Sequence, residues 1–181
     1  MNGHNLNKVI FISTCSNYGL IKDGEKADEN FTLNPLSLYA EDKVRNEKFI
    51  ISNSDNFDFS ATILRFATAF GAAPRMRFDL TVNEFIYDAY TKKTLEVYDA
   101  DTWRPYCHVK DFARLIHRVL VMDIQKTNFQ IFNAGGDANN LTKRDIVEII
   151  RKYIPDLNVD YVDGGNDPRN YIYKYKNKIT S

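Results

Sequence analysis

Three short apolar runs constrain the fold. They are Val9-Ile10-Phe11-Ile12-Ser13, Ser60-Ala61-Thr62-Ile63-Leu64-Arg65-Phe66 and Phe129-Gln130-Ile131-Phe132-Asn133. The first is continuous and rich in β-branched residues, the pattern of a strand covered on both faces, as in a parallel sheet; the second reads as another buried strand, and the third as a strand stopped by Gly135-Gly136. Helical patterns lie between them. Pro35 is tolerated in a first turn, and a helix is predicted over Leu36–Ile51 with Leu36, Ala40, Lys43 and Val44 on one face. Leu80, Val82, Phe85, Ile86 and Ala89 have helical spacing, with the Phe85/Ile86/Ala89 stripe expected in the core, and Leu95–Tyr98 reads as a short strand. Phe112, Leu115, Ile116, Val119 and Leu120 repeat with helical period and predict a helix from His108 to Met122. Thr142, with Asp145 three residues on, is close to a capping box for a last helix whose apolar face is Ile146, Val147, Ile149 and Ile150. Strands alternating with helices imply an α/β architecture with a parallel sheet.

The 181 residues suffice for one domain, or for one and a small second. The charge is balanced, 24 Lys+Arg against 24 Asp+Glu, so the basic field of a nucleic-acid binder is missing. Apolar residues make up 44%, which argues against wholesale disorder. No apolar run approaches the ~18 residues of a membrane span. Met1–Lys8 is polar and has the pattern of neither a signal nor a transit peptide. Cys15 and Cys107 form no disulfide framework, and with three His they make no zinc set, so no metal is expected. The expected compartment is the reducing cytoplasm. Tyr171–Lys178 alternates aromatic and basic residues and reads as a terminal strand or loose tail rather than a stacking platform for single strands.

Tyr-x-x-x-Lys is the arrangement that carries chemistry. On a helix, residues i and i+4 share a face. An ammonium beside a phenol favours the phenolate, and a tyrosine so tuned can act as a general base. The spacing occurs three times, at Tyr18/Lys22, Tyr39/Lys43 and Tyr106/Lys110. Tyr18 abuts Gly19 in a turn, and Tyr106 precedes its helix; Tyr39 and Lys43 both lie inside a predicted helix. Ser13-Thr14-Cys15-Ser16 closes the first strand, at the end where open α/β sheets place ligands.

These residues carry a family resemblance. Phe11 to Gly19 (FISTCSNYG) followed by Asn34 to Lys43 (NPLSLYAEDK) resembles the active site of the extended short-chain dehydrogenase/reductases, and more narrowly of the NAD-dependent nucleotide-sugar epimerase/dehydratase family. Leu64 to Gly71 (LRFATAFG), Trp103 to Asp111 (WRPYCHVKD), Phe132-Asn133-Ala134-Gly135 and Asp167-Pro168-Arg169 follow in the family's order, over almost the whole chain. The resemblance implies a partial Rossmann-like parallel sheet with a small α/β substrate-binding part. Residues 1–70 would be the C-terminal half of the dinucleotide-binding domain with its catalytic helix. Residues 71–181 would be mainly the substrate-binding part, with roughly 105–136 returning to the Rossmann-like sheet.

The resemblance also implies roles. Tyr39 is the catalytic acid/base, Lys43 its charge partner and holder of the nicotinamide ribose, and Thr14 the hydroxyl that bonds the reacting sugar oxygen. Phe66 stands near the nicotinamide. Arg104 and Arg169 match arginines that grip the diphosphate, a role suited to a guanidinium fork, and Asn83 matches a diphosphate-contacting asparagine. The implied reaction is NAD(P)-dependent epimerisation or reduction of a nucleotide-diphosphate sugar through a keto intermediate. Family dehydratases carry Asp-Glu after the catalytic Thr; Cys15 and Ser16 stand there, which argues against dehydration. Thr68 and Asn17 also depart from common family residues and leave the sugar open.

The family's Gly-x-x-Gly-x-x-Gly turn, which brings backbone N–H groups to the dinucleotide pyrophosphate, is absent from the sequence. NAD or NADP is therefore expected only if a missing N-terminal part is supplied, and Val9–Ser13 is expected to have one edge unpaired. The expected partners are a nucleotide-sugar substrate and either a second copy or a complementing N-terminal chain, with no nucleic acid and no membrane. The alternative function is a truncated, non-catalytic remnant or subunit that binds nucleotide sugar or needs a partner chain.

Overall fold

The computed structural model describes residues 7–22 and 25–164. Its elements are β1 (Lys8–Thr14), α1 (Leu38–Ser52), β2 (Ser60–Phe66), β3 (Thr68–Phe70), α2 (Thr81–Lys92), β4 (Thr94–Tyr98), β5 (Trp103–His108), α3 (Val109–Val121), β6 (Gln130–Ala134), β7 (Asn140–Thr142), α4 (Lys143–Arg151) and β8 (Asn158–Val162). The motif at 167–169 and the tail at 171–178 lie outside the described residues.

The three apolar runs form one sheet in the order β1-β2-β6, parallel throughout. In β2, the central strand, every residue but Phe66 is buried. In β1, Lys8–Ile12 are only partly covered, and full burial begins at Ser13. Coverage on both faces was expected for β1. It falls short because, among the described residues, β1 pairs only with β2 and its other edge is open. The register fixes which groups point outward. Lys8 stands opposite Ser60, whose N–H donates to the Asn7 carbonyl at 3.0 Å. Odd-numbered residues of β1 therefore turn their peptide groups to β2, and Lys8, Ile10, Ile12 and Thr14 turn theirs to the open edge.

The two faces of this sheet are dressed differently. Ile10 and Ile12 pack with Leu64, Phe132, Phe112 and Val119, which places α3 on one face. Ser13 and Arg65 both reach Glu47 of α1 on the other. Lys8 ties β1 to α3 through its Nζ, which donates to the carbonyls of Val119 at 2.9 Å and Met122 at 2.7 Å, closing the end of that helix.

The rest of the chain builds smaller sheets. β3 runs parallel to β5, which pairs antiparallel with β7, and β4 runs parallel to β8. A second core joins Val82, Phe85 and Ala89 of α2 with Leu95 and Val97 of β4 and Ile146, Val147 and Ile150 of α4. Two stripes are narrower than their sequence pattern. Ile86 is 50% and Ile149 44% exposed, each at the margin of its helix's buried face. α1 starts later than predicted, because Ser37 caps it by accepting from the Ala40 N–H at 3.3 Å, so Leu36 precedes the helix and stays exposed. The Thr142/Asp145 capping box is present, with both reciprocal bonds formed. Among the described residues no helix is long and apolar enough to cross a membrane.

Candidate active site

β1 ends in a turn that its own sequence builds. Thr14 is extended, and its Oγ1 accepts from the Ser16 N–H at 3.2 Å, capping a single 3-10 turn over Cys15–Tyr18. Gly19 then takes φ +67°, and a Cβ there would stand 1.9 Å from the Asn34 carbonyl oxygen. Only glycine fits that close approach. Asn34 in turn donates to the Asn17 carbonyl at 3.0 Å, bringing the chain back to the strand end just before α1 begins.

Tyr39 and Lys43 do share a face of α1. The Lys43 ammonium lies 5.7 Å from the centroid of the Tyr39 ring and 4.8 Å from that of Phe11. Its hydrogen bond goes to the backbone carbonyl of Ile12, at 2.7 Å. Tyr39 is 58% exposed, so its phenol is open to a ligand. Tyr18 and Tyr106, the tyrosines of the other two Tyr-x-x-x-Lys pairs, are buried.

Behind this face lies a buried polar network. Glu47, one turn beyond Lys43, accepts from Arg65 Nη2 at 2.7 Å, from Arg65 Nε at 3.1 Å, from Asn17 Nδ2 at 2.8 Å and, through a short bond, from Ser13 Oγ. The Glu47 and Arg65 side chains are 2% and 3% exposed. Arg65 Nη1 donates to the Tyr18 hydroxyl at 2.8 Å, and that hydroxyl donates to Asn133 Oδ1 at 2.7 Å. Burial pushes the Tyr18 phenol up to about 12, against the opposing pull of the Arg65 charge. Burial, the largest single influence, disfavours the Arg65 cation, but the bonds and charge of Glu47 together with the contact to Tyr18 outweigh it and raise its pKa above the ordinary arginine value. The network joins α1, the turn after β1, and all three strands of the β1-β2-β6 sheet. Glu47 was not singled out in the sequence. A signal was there: Arg65 is a charge inside a buried-type run and requires a carboxylate, and Glu47 is at i+4 from Lys43.

The remaining candidates are scattered around this centre. Phe66 ends β2 and stacks on Phe112, with centroids 3.8 Å apart and planes 5° from parallel. Arg104 is 5% exposed in β5, opposite Leu141 of β7. The acids near it in sequence have other cations, since Asp101 pairs with Arg144 and Asp111 with Arg114. Asn83 accepts from the Gly71 N–H and donates to the Arg77 carbonyl, both at 3.0 Å, and so holds the 71–77 loop. That loop and α2 border an open apolar cleft of about 420 Å³ lined by Phe70, Met76, Phe78 and Tyr87. Arg169 lies outside the described residues. His108 caps α3 by accepting from the Lys110 N–H at 3.1 Å. Burial raises the Cys107 thiol to about 11, which makes it a poor nucleophile.

Chemically, α1 offers a solvent-facing phenol and an adjacent ammonium, while the strand-end Thr14 is buried and its hydroxyl already accepts from the Ser16 N–H. The phenol and ammonium suit a ribose hydroxyl, so they fit the nicotinamide-ribose end of a dinucleotide. No glycine turn for the pyrophosphate occurs in the sequence.

Residues 1–135 match the family described as the NAD dependent epimerase/dehydratase family. The sequence is 34% identical over 118 residues to a Bacillus subtilis protein described as the uncharacterized UDP-glucose epimerase YtcB, covering 65% of this chain and 36% of that one. It is 26% identical over 121 residues to the UDP-glucuronate 4-epimerase of Thermodesulfobacterium geofontis, covering 66% and 36%. Among solved structures, the UDP-N-acetylglucosamine 4-epimerase of Methanobrevibacter ruminantium superposes with a TM-score of 0.81 at 24% identity, covering 98% of this chain and 57% of that one. MoeE5, solved in complex with UDP-glucuronic acid and NAD, gives 0.80 at 20% identity, covering 96% and 57%. The chain thus spans little more than a third of the length of these relatives and somewhat over half of these solved chains.

Proposed function

Because the chain belongs to the NAD-dependent epimerase/dehydratase family, we propose that it supplies the catalytic and sugar-binding residues for NAD(P)-dependent epimerisation or reduction of a nucleotide-diphosphate sugar. The observation that carries this reading is the Tyr39 phenol, exposed to solvent with the Lys43 ammonium 5.7 Å from its ring, on the helix packed against the end of β1. NAD(P), when bound, supplies the acceptor and donor of hydride for alcohol–ketone interchange. The chain's residues handle the proton. Tyr39 Oη takes the proton of the sugar hydroxyl and later returns it. Lys43 supplies positive charge beside that phenolate and a donor for the ribose. Thr14 Oγ1 hydrogen-bonds the reacting oxygen, which requires it to share or leave its bond from the Ser16 N–H. Arg104, with Asn83 and Arg169, would hold the diphosphate. Cys15 and Ser16 offer no carboxylate pair beside Thr14, so the reading favours epimerase or reductase over dehydratase.

The test is calorimetric titration of the chain with NAD and with UDP-sugars, then a turnover assay with the nucleotide-binding half of a family member added. Tyr39→Phe is expected to lower turnover by about 100-fold or more. Unchanged turnover in that variant sinks the assignment. UDP-sugar binding with neither NAD binding nor turnover would instead identify a non-catalytic binding subunit.

A further inference from the structure

Asn17 lies in the turn after β1, three residues past Thr14, and is fully buried. Its Nδ2 donates to Glu47 Oε1 of α1 at 2.8 Å and to Ser13 Oγ of β1 at 3.1 Å. Ser13 Oγ gives its own hydrogen to Glu47 Oε1, so toward Asn17 it can only accept. The three side chains close a triangle, which fixes the way the amide faces: turned over, it would aim Oδ1 at the carboxylate. The backbone adds another tie. The Asn17 carbonyl accepts from the Asn34 N–H at 3.0 Å, three residues before Ser37 caps α1. We propose that Asn17 is a positioning residue: it clamps the turn to α1, and so sets where the Thr14 hydroxyl stands relative to Tyr39. It does not read the sugar. This inference deepens the functional reading above and rests on it, because the setting matters to the reaction only if Thr14 and Tyr39 act on one oxygen.

Thr14 cannot set its own place. Its Oγ1 accepts from the Ser16 N–H at 3.2 Å, so the hydroxyl moves with the turn. The turn is one 3-10 turn of four residues, Cys15–Tyr18, and hydrogen-bond geometry in such turns is poor. Its orientation therefore comes from outside. Tyr18 ties it to β2 and β6, through the bonds of its hydroxyl with Arg65 and Asn133. Asn17 ties it to α1, the helix that carries Tyr39. Packing alone does not call for an amide here. Asn17 Oδ1 is buried with no hydrogen-bond partner among the described residues, a cost that an aliphatic side chain of the same shape would avoid. What the amide supplies instead is direction, as two donors aimed at a strand end and at a helix.

The test compares wild type with Asn17→Leu, which keeps the shape and removes both donors. Hydrogen exchange is followed by NMR on the full chain alone. The Ser16 and Asn34 N–H groups are expected to exchange about tenfold faster in the variant, while those of Ile63 and Leu64 in the middle of β2 keep their rates. In wild type, the Asn17 side-chain amide hydrogens should exchange at least about tenfold more slowly than those of the exposed Asn56, a reading that does not depend on the variant folding. Turnover of UDP-glucose is then measured with the nucleotide-binding half of a family member added. There Asn17→Leu should lower kcat about 10- to 100-fold and leave KM within about twofold. Four results would each overturn the proposal: unprotected Asn17 hydrogens, unchanged Ser16 and Asn34 exchange, faster exchange spread evenly over β2, or a raised KM at unchanged kcat. The last would make Asn17 a residue that reads the sugar. The two readings fail separately. A loosened turn in Asn17→Leu, with no turnover even by wild type, removes the enzymatic reading and keeps the placing of Thr14, whereas full kcat in Asn17→Leu does the reverse.

Discussion

Removing the Glu47 carboxylate is the sharpest perturbation this structure offers. In Glu47→Ala, Arg65 keeps its Nη1 bonds to the Tyr18 hydroxyl at 2.8 Å and the Glu29 carbonyl at 3.2 Å, but Nε and Nη2 lose their acceptor. Asn17 Nδ2 and Ser13 Oγ lose it as well, although those two stay hydrogen-bonded to each other at 3.1 Å. Breaking a buried ion pair on one side costs about 3–5 kcal/mol, because the surviving charge is left without compensation. For a chain of this size that lowers Tm by roughly 6–20 °C. The assay is urea denaturation followed by far-UV circular dichroism and by fluorescence, with coincident transitions required. Glu47→Leu/Arg65→Met, which removes both charges, should recover most of the loss and lie within about 2 kcal/mol of wild type. Because the two residues touch, the cycle of Glu47→Leu, Arg65→Met and their double variant should show a coupling of at least about 2 kcal/mol. A Glu47→Ala loss below about 1 kcal/mol would refute the reasoning, and so would a double variant as unstable as the sum of the two singles.

Alkali gives a second test. The Tyr18 phenol is raised from 10.0 to about 12 by burial, so between pH 10 and 12 the native state keeps a proton that the unfolded state has lost. Stability then falls as pH rises through that window, by about 2–3 kcal/mol in all; Tyr18→Phe should flatten the slope, and an unchanged slope in pH-dependent urea titrations would contradict it. The Cys107 thiol, raised from 9.0 to about 11 chiefly by burial, adds a smaller decline of the same sign from pH 9 upward, removed in Cys107→Ala. Lys8→Met withdraws the donor from the Val119, Leu120 and Met122 carbonyls. It should cost about 1–2 kcal/mol, with faster amide exchange confined to the last turn of α3; an even loss of protection along β1 and α3 would count against a capping role.

The parts of this fold that could be read from sequence share one physical property: the signal is local and repeats. β1 carries an apolar run, β2 is an apolar-rich stretch broken only near its end by Arg65, β6 is a short aromatic and β-branched stretch, and α3 and α4 have apolar faces with regular spacing. Tyr39 and Lys43 were recognisable as a pair because four residues on a helix set their geometry without help from the rest of the chain. β3 and β7 have three residues each, too few to establish a period. β5 hides because Arg104 and Pro105 interrupt its run, although Arg104, Pro105, Tyr106 and Cys107 are all buried. Pro105 has no N–H to donate, and its place opposite Asn140 in the short pairing with β7 spares the longer ladders.

Glu47 was missed for a different reason, which bears on how the site holds its shape. Tyr39, Lys43 and Glu47 follow one another at intervals of four along α1, so a helix-surface reading treats all three as polar and solvated. Only the third is buried, and what buries it is Arg65, eighteen residues away on β2. A helix of mixed polarity, with only Ala40, Val44 and Glu47 buried, has little apolar area with which to choose its angle against the sheet. A bidentate ion pair does choose, because its attraction falls off steeply once the fork and the carboxylate leave one plane. The same carboxylate accepts from Ser13, the residue before Thr14. The position of the exposed Tyr39 relative to the strand-end hydroxyl is therefore set by a charge pair buried two turns along the same helix, on a part of α1 that no substrate needs to touch.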